Sequence, residues 1–306
     1  MSKEFSEEND SSNMTWLFGS RKQGRLQPTW RYSTRGVIWR LIPTESRKLV
    51  GEERDLSSKS VSFFCLNQMT GKVLWEMVKF DEAWWIGVEA IRRDIIFLHK
   101  FTKPDLPEHR GIIAVDVFTG KQLWSNDQLK FRYALDKTLF AVRESIEERL
   151  LFELDSQTGE ILRSWENDEQ PLREARIRET PQFNHEPELP FPVLDLTTDD
   201  SDAAVAIRKH CHTEDLVGSV EAIDLDDVTI FNYHERNPRS TSDETRMYNF
   251  LKVVNKETGK MIFEEMINSD SSGIVPESFF VHHDMLFFVK DRKTLTAVRV
   301  ATPGDE

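Results

Sequence analysis

A seven-residue phrase occurs four times in the chain and constrains its fold more than any other feature. Each copy has an apolar residue, Asp or Asn, two variable residues, Thr-Gly and then Lys or Glu. The copies are residues 66–72, 115–121, 154–160 and 254–260. Asp and Asn can hydrogen-bond to nearby backbone, and Gly readily adopts the positive φ that tightens a turn. The phrase therefore predicts four hairpin turns between β-strands.

The spacing of the turns predicts the architecture. The turn glycines are Gly71, Gly120, Gly159 and Gly259. The first three recur after roughly 40–50 residues, with four short apolar strand patterns in each interval, and such a repeat is typical of a β-propeller. We therefore predict an all-β fold of four-stranded blades.

One blade is predicted to lack the phrase, because the last turn follows at about twice the usual spacing. Residues 168–212 lie there, as a degenerate blade or an insertion, with residues 191–196 and 203–209 as candidate strands. The first case gives six blades, our main prediction, and the second gives five. The C-terminal region supplies only three strands. We expect the strand around Trp30 to complete the last blade and close the ring, because an open blade would leave a bare edge.

The remaining organisation follows from composition. We expect residues 1–28 and 301–306 to be tails and residues 29–300 to form one propeller domain. A net charge of −13 disfavours binding to nucleic acid or to anionic membranes. Cys65 and Cys211 show no disulfide or metal pattern, and no apolar run is long enough to span a membrane. No secretory signal is visible, so we predict a cytoplasmic monomer.

The turns carry a further mark. A Trp follows the turn glycine by four residues in the first two copies, at Trp75 and Trp124, whereas Trp165 is displaced by two positions and Phe263 replaces it in the fourth copy. This combination resembles the repeats of PQQ-like β-propellers, in which the Trp docks between neighbouring blades. More narrowly, the segments 36–40, 84–85, 104–107 and 111–116 look like an uncharacterised bacterial family, domain of unknown function 4905. That resemblance implies no activity.

The sequence argues against the redox chemistry of quinoprotein dehydrogenases. Those enzymes are longer and exported, and commonly have adjacent cysteines and a calcium site, whereas this chain has no adjacent cysteines. It also has no nucleophile elbow, phosphate loop or H-E-x-x-H motif. We therefore expect no cofactor, and a non-catalytic scaffold that binds a protein or a small ligand. The alternative is an enzyme, or a small-molecule or cation sensor, with a carboxylate-lined central channel.

Three glutamates are the candidate channel residues. Glu89 and Glu221 occupy matching positions in a repeated Val-Glu-Ala-Ile segment on the first strand of a blade, and Glu277 is expected at the same place in the last blade. Converging carboxylates could bind a cation or shift each other's pKa, and Arg40 could pair with them. The structural alternative is that they bond to backbone amides of a neighbouring blade.

Aromatic and histidine side chains complete the candidates. Trp84 and Trp85 form either a stacking platform for a ligand or packing between blades. His99 and His234 are predicted on matching second strands. His210 and His212 would share one face of a strand, as a pair of metal ligands does. No further ligand lies near them in the sequence, so we predict no metal site.

Overall fold

The computed structural model describes residues 25–103, 106–144, 148–178, 187–193, 196, 199–211, 213–241 and 245–300. The described part is all-β with two short helices, as predicted. The first thirteen strands are β1 (Pro28–Ser33), β2 (Val37–Pro43), β3 (Lys48–Asp55), β4 (Ser60–Asn67), β5 (Val73–Val78), β6 (Ile86–Arg92), β7 (Ile95–Lys103), β8 (Leu106–Asp116), β9 (Gln122–Asn126), β10 (Lys130–Ala134), β11 (Thr138–Glu144), β12 (Arg149–Asp155) and β13 (Ile161–Glu166).

The remaining elements lie beyond residue 166. They are α1 (Gln170–Arg178), β14 (Phe191–Val193), α2 (Asp202–His210), β15 (Val220–Asp224), β16 (Val228–Arg236), β17 (Met247–Asn255), β18 (Met261–Ser271), β19 (Phe279–His282), β20 (Met285–Lys290) and β21 (Thr294–Arg299). No helix in the described ranges is long and apolar enough to cross a membrane.

Consecutive strands pair in antiparallel groups of four. The groups are β2–β5, β6–β9, β10–β13, β15–β18 with β14 added at one edge, and β19–β21 with β1. A single parallel bridge between Lys130 and Gly111 joins the second and third groups. No sheet in the described part of the chain closes on itself. This succession of four-stranded meanders is the strand order of a β-propeller.

The N-terminal strand completes the last group, as predicted. β1 pairs antiparallel with β21, with Trp30 opposite Ala297 and Tyr32 opposite Leu295. Just before β1, the backbone N–H of Leu26 donates a hydrogen bond to the carbonyl of Ile262, 2.8 Å away. Residues 1–24 and 301–306, most of the predicted tails, lie outside the described residues.

The repeated phrase forms the predicted turns. In the second copy, Asp116 Oδ1 accepts hydrogen bonds from the backbone N–H and the hydroxyl of Thr119, at 2.8 and 2.7 Å. Gly120 has φ +67°, and its N–H donates to the carbonyl of Asp116 at 2.9 Å. The Asp or Asn of the other three copies accepts the same two bonds from its own Thr.

A tryptophan of one group docks on the turn of the next. Trp75 Nε1 donates to the carbonyl of Val117 at 2.7 Å, and the indole lies so close that a Cβ at Gly120 would be 2.7 Å from its Cδ2. Trp124 docks in the same way at Gly159, and Trp30 at Gly71. The turn glycine is therefore needed twice, for its positive φ and for the missing side chain.

The stretch between β13 and β15 differs from the prediction. Residues 203–209 form most of α2 and not a strand. Ser201 caps this helix by accepting a hydrogen bond from the N–H of Ala204. The buried residues Ala204, Ile207 and Cys211 are three and four positions apart, which is helical spacing. Among the described residues of the range 191–196, Phe191–Val193 form a strand, β14, and Leu196 lies outside it.

Helix α2 takes the place of a docking tryptophan at the fourth turn. Lys209 Nζ and His210 Nε2 lie 3.3 and 3.1 Å from the carbonyl oxygen of Gly259. The expected strand face shared by His210 and His212 is therefore wrong, because His210 is the last residue of a helix; His212 lies outside the described residues. Trp165 stacks on Phe140 within its own group, with ring centroids 6.1 Å apart.

Candidate functional site

One carboxylate and two imidazoles meet at the end of the β7–β8 hairpin. Glu89 Oε2 lies 2.9 Å from His99 Nδ1 and 2.6 Å from His109 Nδ1. The two imidazole rings are stacked, with centroids 3.6 Å apart and planes 7° from parallel. We refer to Glu89, His99 and His109 as the His-Glu cluster.

Two irregularities in strand pairing build this cluster. Val88 pairs with Leu98 and Ala90 with Phe97, so Glu89 is the extra residue of a bulge in β6. Bulges redirect side chains and are common beside functional sites. A second register shift, between Leu98 and Lys100, lies opposite Gly111 on β8, which has φ +69°.

Charge and exposure differ within the cluster. Burial raises the pKa of the Glu89 carboxyl, but its contacts with His99 and His109 outweigh this effect and hold the pKa below its usual range. The carboxylate is therefore ionised at neutral pH and accepts a hydrogen bond from His109 Nδ1. His99 is only 6% exposed, whereas the side chain of His109 is 41% exposed.

The Nε2 atom of His99 has no hydrogen-bond partner within the described ranges. The Nδ1 atom lies 2.9 Å from Glu89 Oε2, the oxygen that also contacts His109. His234, on the equivalent strand β16, differs because its Nε2 accepts a hydrogen bond from the N–H of Val275 at 3.2 Å. An unsatisfied buried polar group costs about 1–3 kcal/mol, so the environment of His99 calls for an explanation.

Phe101 backs the two histidines. Its ring meets those of His99 and His109 edge-on, with centroids 5.0 and 5.2 Å away. Trp85 lies behind Phe101, at 6.0 Å, and Trp84 meets Trp85 edge-on. Both tryptophans precede β6 and are not on it. Trp85 therefore packs on the ring that backs the cluster.

The indole of Trp84 contacts two cationic side chains from the first group of strands. The guanidinium of Arg54 and the ammonium of Lys59 each lie 4.9 Å from the centre of its indole. Arg54 also donates a hydrogen bond to the carbonyl of Ile86 at 3.0 Å. These contacts join the first and second groups, as in the packing alternative for this tryptophan.

A polar cavity of about 440 Å³ opens beside the cluster. Three carboxylates, three basic side chains, one imidazole and one phenyl ring line it: Glu89, Glu108, Glu144, Lys130, Arg132, Arg176, His109 and Phe131. Lys130 pairs with Glu108 and with Glu144, and its hydrogen bond with Glu108 raises the pKa of Lys130 and lowers that of Glu108. Charges of both signs therefore line one space, which we call the polar cavity.

The other predicted site residues lie elsewhere. Glu221, on β15, accepts a hydrogen bond from the backbone N–H of Glu277 at 3.1 Å. Burial raises the pKa of Glu221. Glu277 is an exposed turn residue with φ +50° that precedes β19, so its predicted place on a first strand is wrong. Arg40 donates to the carbonyl of Val88 at 2.6 Å. A ligand shared by the three glutamates stays a prediction.

Sequence reasoning missed His109. The prolines at 104 and 107 predicted a loop there, whereas β7 and β8 continue as a hairpin up to the pair Lys103 and Leu106. The available signal was strand register. When β8 is extended back from Gly111, His109 falls opposite Phe101, close to His99.

Comparison with known proteins gives one family match. The sequence model of the family described as "Domain of unknown function (DUF4905)" matches residues 42–124, which confirms the narrower resemblance. This segment contains Glu89, His99 and His109. No curated protein matches the sequence.

Solved structures with similar folds include several propellers. The β-propeller domain of the Trilobed protease from Pyrococcus furiosus is 8% identical, with 87% of this chain and 71% of that chain covered and a TM-score of 0.29. The Dos1 propeller is 9% identical, with 86% of this chain and 67% of that chain covered and a TM-score of 0.27. The acylaminoacyl peptidase from Pyrococcus horikoshii is 11% identical, with 84% of this chain and 36% of that chain covered and a TM-score of 0.28. The chain therefore spans just over a third of that protein. At these TM-scores the likeness carries no argument about this chain.

Proposed function

We propose that the protein is a non-catalytic β-propeller scaffold that binds a small zwitterionic molecule in the polar cavity. The observation that carries this proposal is the mixed lining of one space by carboxylates and basic side chains. An ammonium group competes with Lys130 for Glu108 and Glu144, and a carboxylate group pairs with Arg132 and Arg176. The ring of Phe131 provides apolar contact for the rest of such a ligand.

The described residues that line the cavity include no hydroxyl or thiol nucleophile, which favours binding over catalysis by such a group. No serine, threonine or cysteine is among the residues that line the polar cavity in the described ranges. Cys65 and Cys211 lie elsewhere, and burial raises the pKa of each thiol to about 12. At neutral pH both are protonated and unreactive.

We also propose that residues 29–300 form one domain with five blades of the PQQ-like type. The docking of Trp30, Trp75 and Trp124 on turn glycines supports the type. The five groups of strands in the described ranges support the lower of the two blade counts, and α1, β14 and α2 are then an insertion. In this arrangement β1 closes the ring. The cytoplasmic location stays a prediction.

Thermal melting with amino acids as probes tests the ligand. We expect at least one common L-amino acid to raise the melting temperature of the wild-type protein by roughly 5 °C at about 100 times its Kd. Arg132→Gln removes a carboxylate partner and should abolish the rise. Arg163→Gln, an exposed position on β13 outside the cavity, should leave the rise intact. If no amino acid stabilises the wild type, or if Arg132→Gln responds equally, the proposed ligand is wrong.

A further inference from the structure

We infer that Glu89, His99 and His109 bind a divalent first-row transition-metal ion, of which Zn²⁺ is the expected example. This inference rests on the proposed function, because the metal-binding residues lie in the wall of the same polar cavity. It adds an ion as the centre of that site. The ligand atoms of the three residues all lie within 4.8 Å of one another, on strands of one hairpin and its neighbour.

The donor set selects the metal. Two imidazoles and one carboxylate are the protein ligands of many zinc sites that keep an open coordination position. Imidazole also suits Fe²⁺, Co²⁺ and Ni²⁺, whereas Mg²⁺ and Ca²⁺ prefer oxygen ligands throughout. The Glu89 carboxylate supplies an oxygen ligand, and the two imidazoles supply nitrogen ligands. The cluster therefore favours zinc over magnesium.

The burial of His99 points to a ligand that the described residues do not supply. His99 is only 6% exposed, its Nε2 has no hydrogen-bond partner in the described ranges, and its Nδ1 faces the carboxylate oxygen that also contacts His109. Glu89 Oε2 is the single carboxylate oxygen that faces both Nδ1 atoms, at 2.9 and 2.6 Å, so two imidazoles share one partner. An ion bound at Nδ1 satisfies that nitrogen and offsets the cost of burying it.

Bond geometry shows how the cluster must change to hold the ion. Ligand atoms around a tetrahedral zinc ion with bonds of ~2.0–2.1 Å lie ~3.3 Å apart, so the present contacts of 2.9 and 2.6 Å from Glu89 must open slightly. A metal lies in the plane of each imidazole that binds it, and two parallel rings 3.6 Å apart cannot both meet this condition. His109 is the exposed ring, so it is the one that turns out of the stack.

The position of the ion connects it with the proposed ligand. Glu89 and His109 both line the polar cavity, so an ion between them is within reach of a molecule in the cavity. Three protein ligands leave at least one coordination position, which water or the carboxylate of a zwitterion fills. The basic side chains Arg132 and Arg176 then hold the other carboxylate oxygen.

Metal titration of the full chain tests the inference. Calorimetry with Zn²⁺ should give one site per chain in the wild type, and Co²⁺ should produce visible absorption bands with the same stoichiometry. Glu89→Gln and His109→Ala should each weaken binding at least about 100-fold, because loss of a direct ligand should cost no less than loss of its supporting contacts. Glu257→Gln changes an exposed carboxylate of the fourth turn, outside both the cavity and the cluster, and should bind zinc as the wild type does. Mg²⁺ should not compete.

Several outcomes would overturn it. The inference is wrong if the wild-type protein has no stoichiometric zinc site. It is also wrong if Glu89→Gln binds zinc as tightly as the wild type, or if Mg²⁺ competes with zinc for the site. Melting curves of the metal-free variants check folding, and His109→Gln replaces His109→Ala if the latter does not fold. If an amino acid stabilises the wild type in the presence of a chelator, the proposed ligand still holds even when the metal site is disproved.

Discussion

Replacing Arg54 with methionine is expected to destabilise the fold by about 3–5 kcal/mol, because it leaves a buried carboxylate without its partner. Arg54 is 9% exposed and Glu52 only 2%, and Arg54 Nε donates to Glu52 Oε1 at 2.7 Å. The guanidinium also lies between the indoles of Trp39 and Trp84, 5.1 and 4.9 Å from their centres. Chemical denaturation of Arg54→Met and wild type measures the difference.

Two further variants separate the buried charge from lost packing. In Glu52→Gln/Arg54→Met no unpaired charge remains, so most of the lost stability should return. Arg163→Met breaks an exposed pair with Glu153, in which Arg163 is 72% exposed, and should change stability by less than about 1 kcal/mol. A double variant as unstable as Arg54→Met would contradict the role given to the pair.

Gly120→Ala is expected to cost about 2–4 kcal/mol, from a left-handed backbone conformation and a clash with Trp75. The residue has φ +67°, and the added Cβ would lie 2.7 Å from an indole carbon. The indole is held by its hydrogen bond to Val117, so it cannot move without losing that bond. The melting temperature and the denaturation midpoint should both fall.

Two other glycines divide this effect into its causes. Gly259 has φ +59°, but its added Cβ would meet only the flexible end of Lys209, at 3.2 Å. Gly259→Ala should therefore show the backbone cost alone, about 1–2 kcal/mol. Gly273 lacks both features, and Gly273→Ala should change stability by less than about 0.5 kcal/mol. If Gly120→Ala and Gly259→Ala lose the same free energy of unfolding, the clash with the docking indole does not contribute to the effect at Gly120.

Local chemistry made most strands and turns predictable. The bond between Asp116 and Thr119 and the positive φ of Gly120 depend on residues within one phrase, so the sequence contains all the information needed. The pairing of β1 with β21 followed from counting strands in the last group. In contrast, α2 was predicted as a strand because its apolar residues were read without their spacing of three and four positions.

The site was predictable only in part. Glu89 and His99 were placed correctly on a first and a second strand, since strand order follows from the repeat. Their meeting depends on the bulge at Glu89, which breaks the alternation that sequence reasoning assumes. His109 depends on a hairpin that continues beyond residues that predicted a loop. Register shifts of this kind are set by long-range pairing and leave little trace in the local sequence.

Crystals of the protein grown with Zn²⁺, with data collected on both sides of the zinc absorption edge, test the central claim most directly. The account predicts one anomalous peak per chain, ~2.0–2.2 Å from Glu89, His99 and His109, with the His109 ring turned out of its stack. A map with no peak at these residues, or with His99 and His109 still stacked and the metal bound elsewhere, would contradict it.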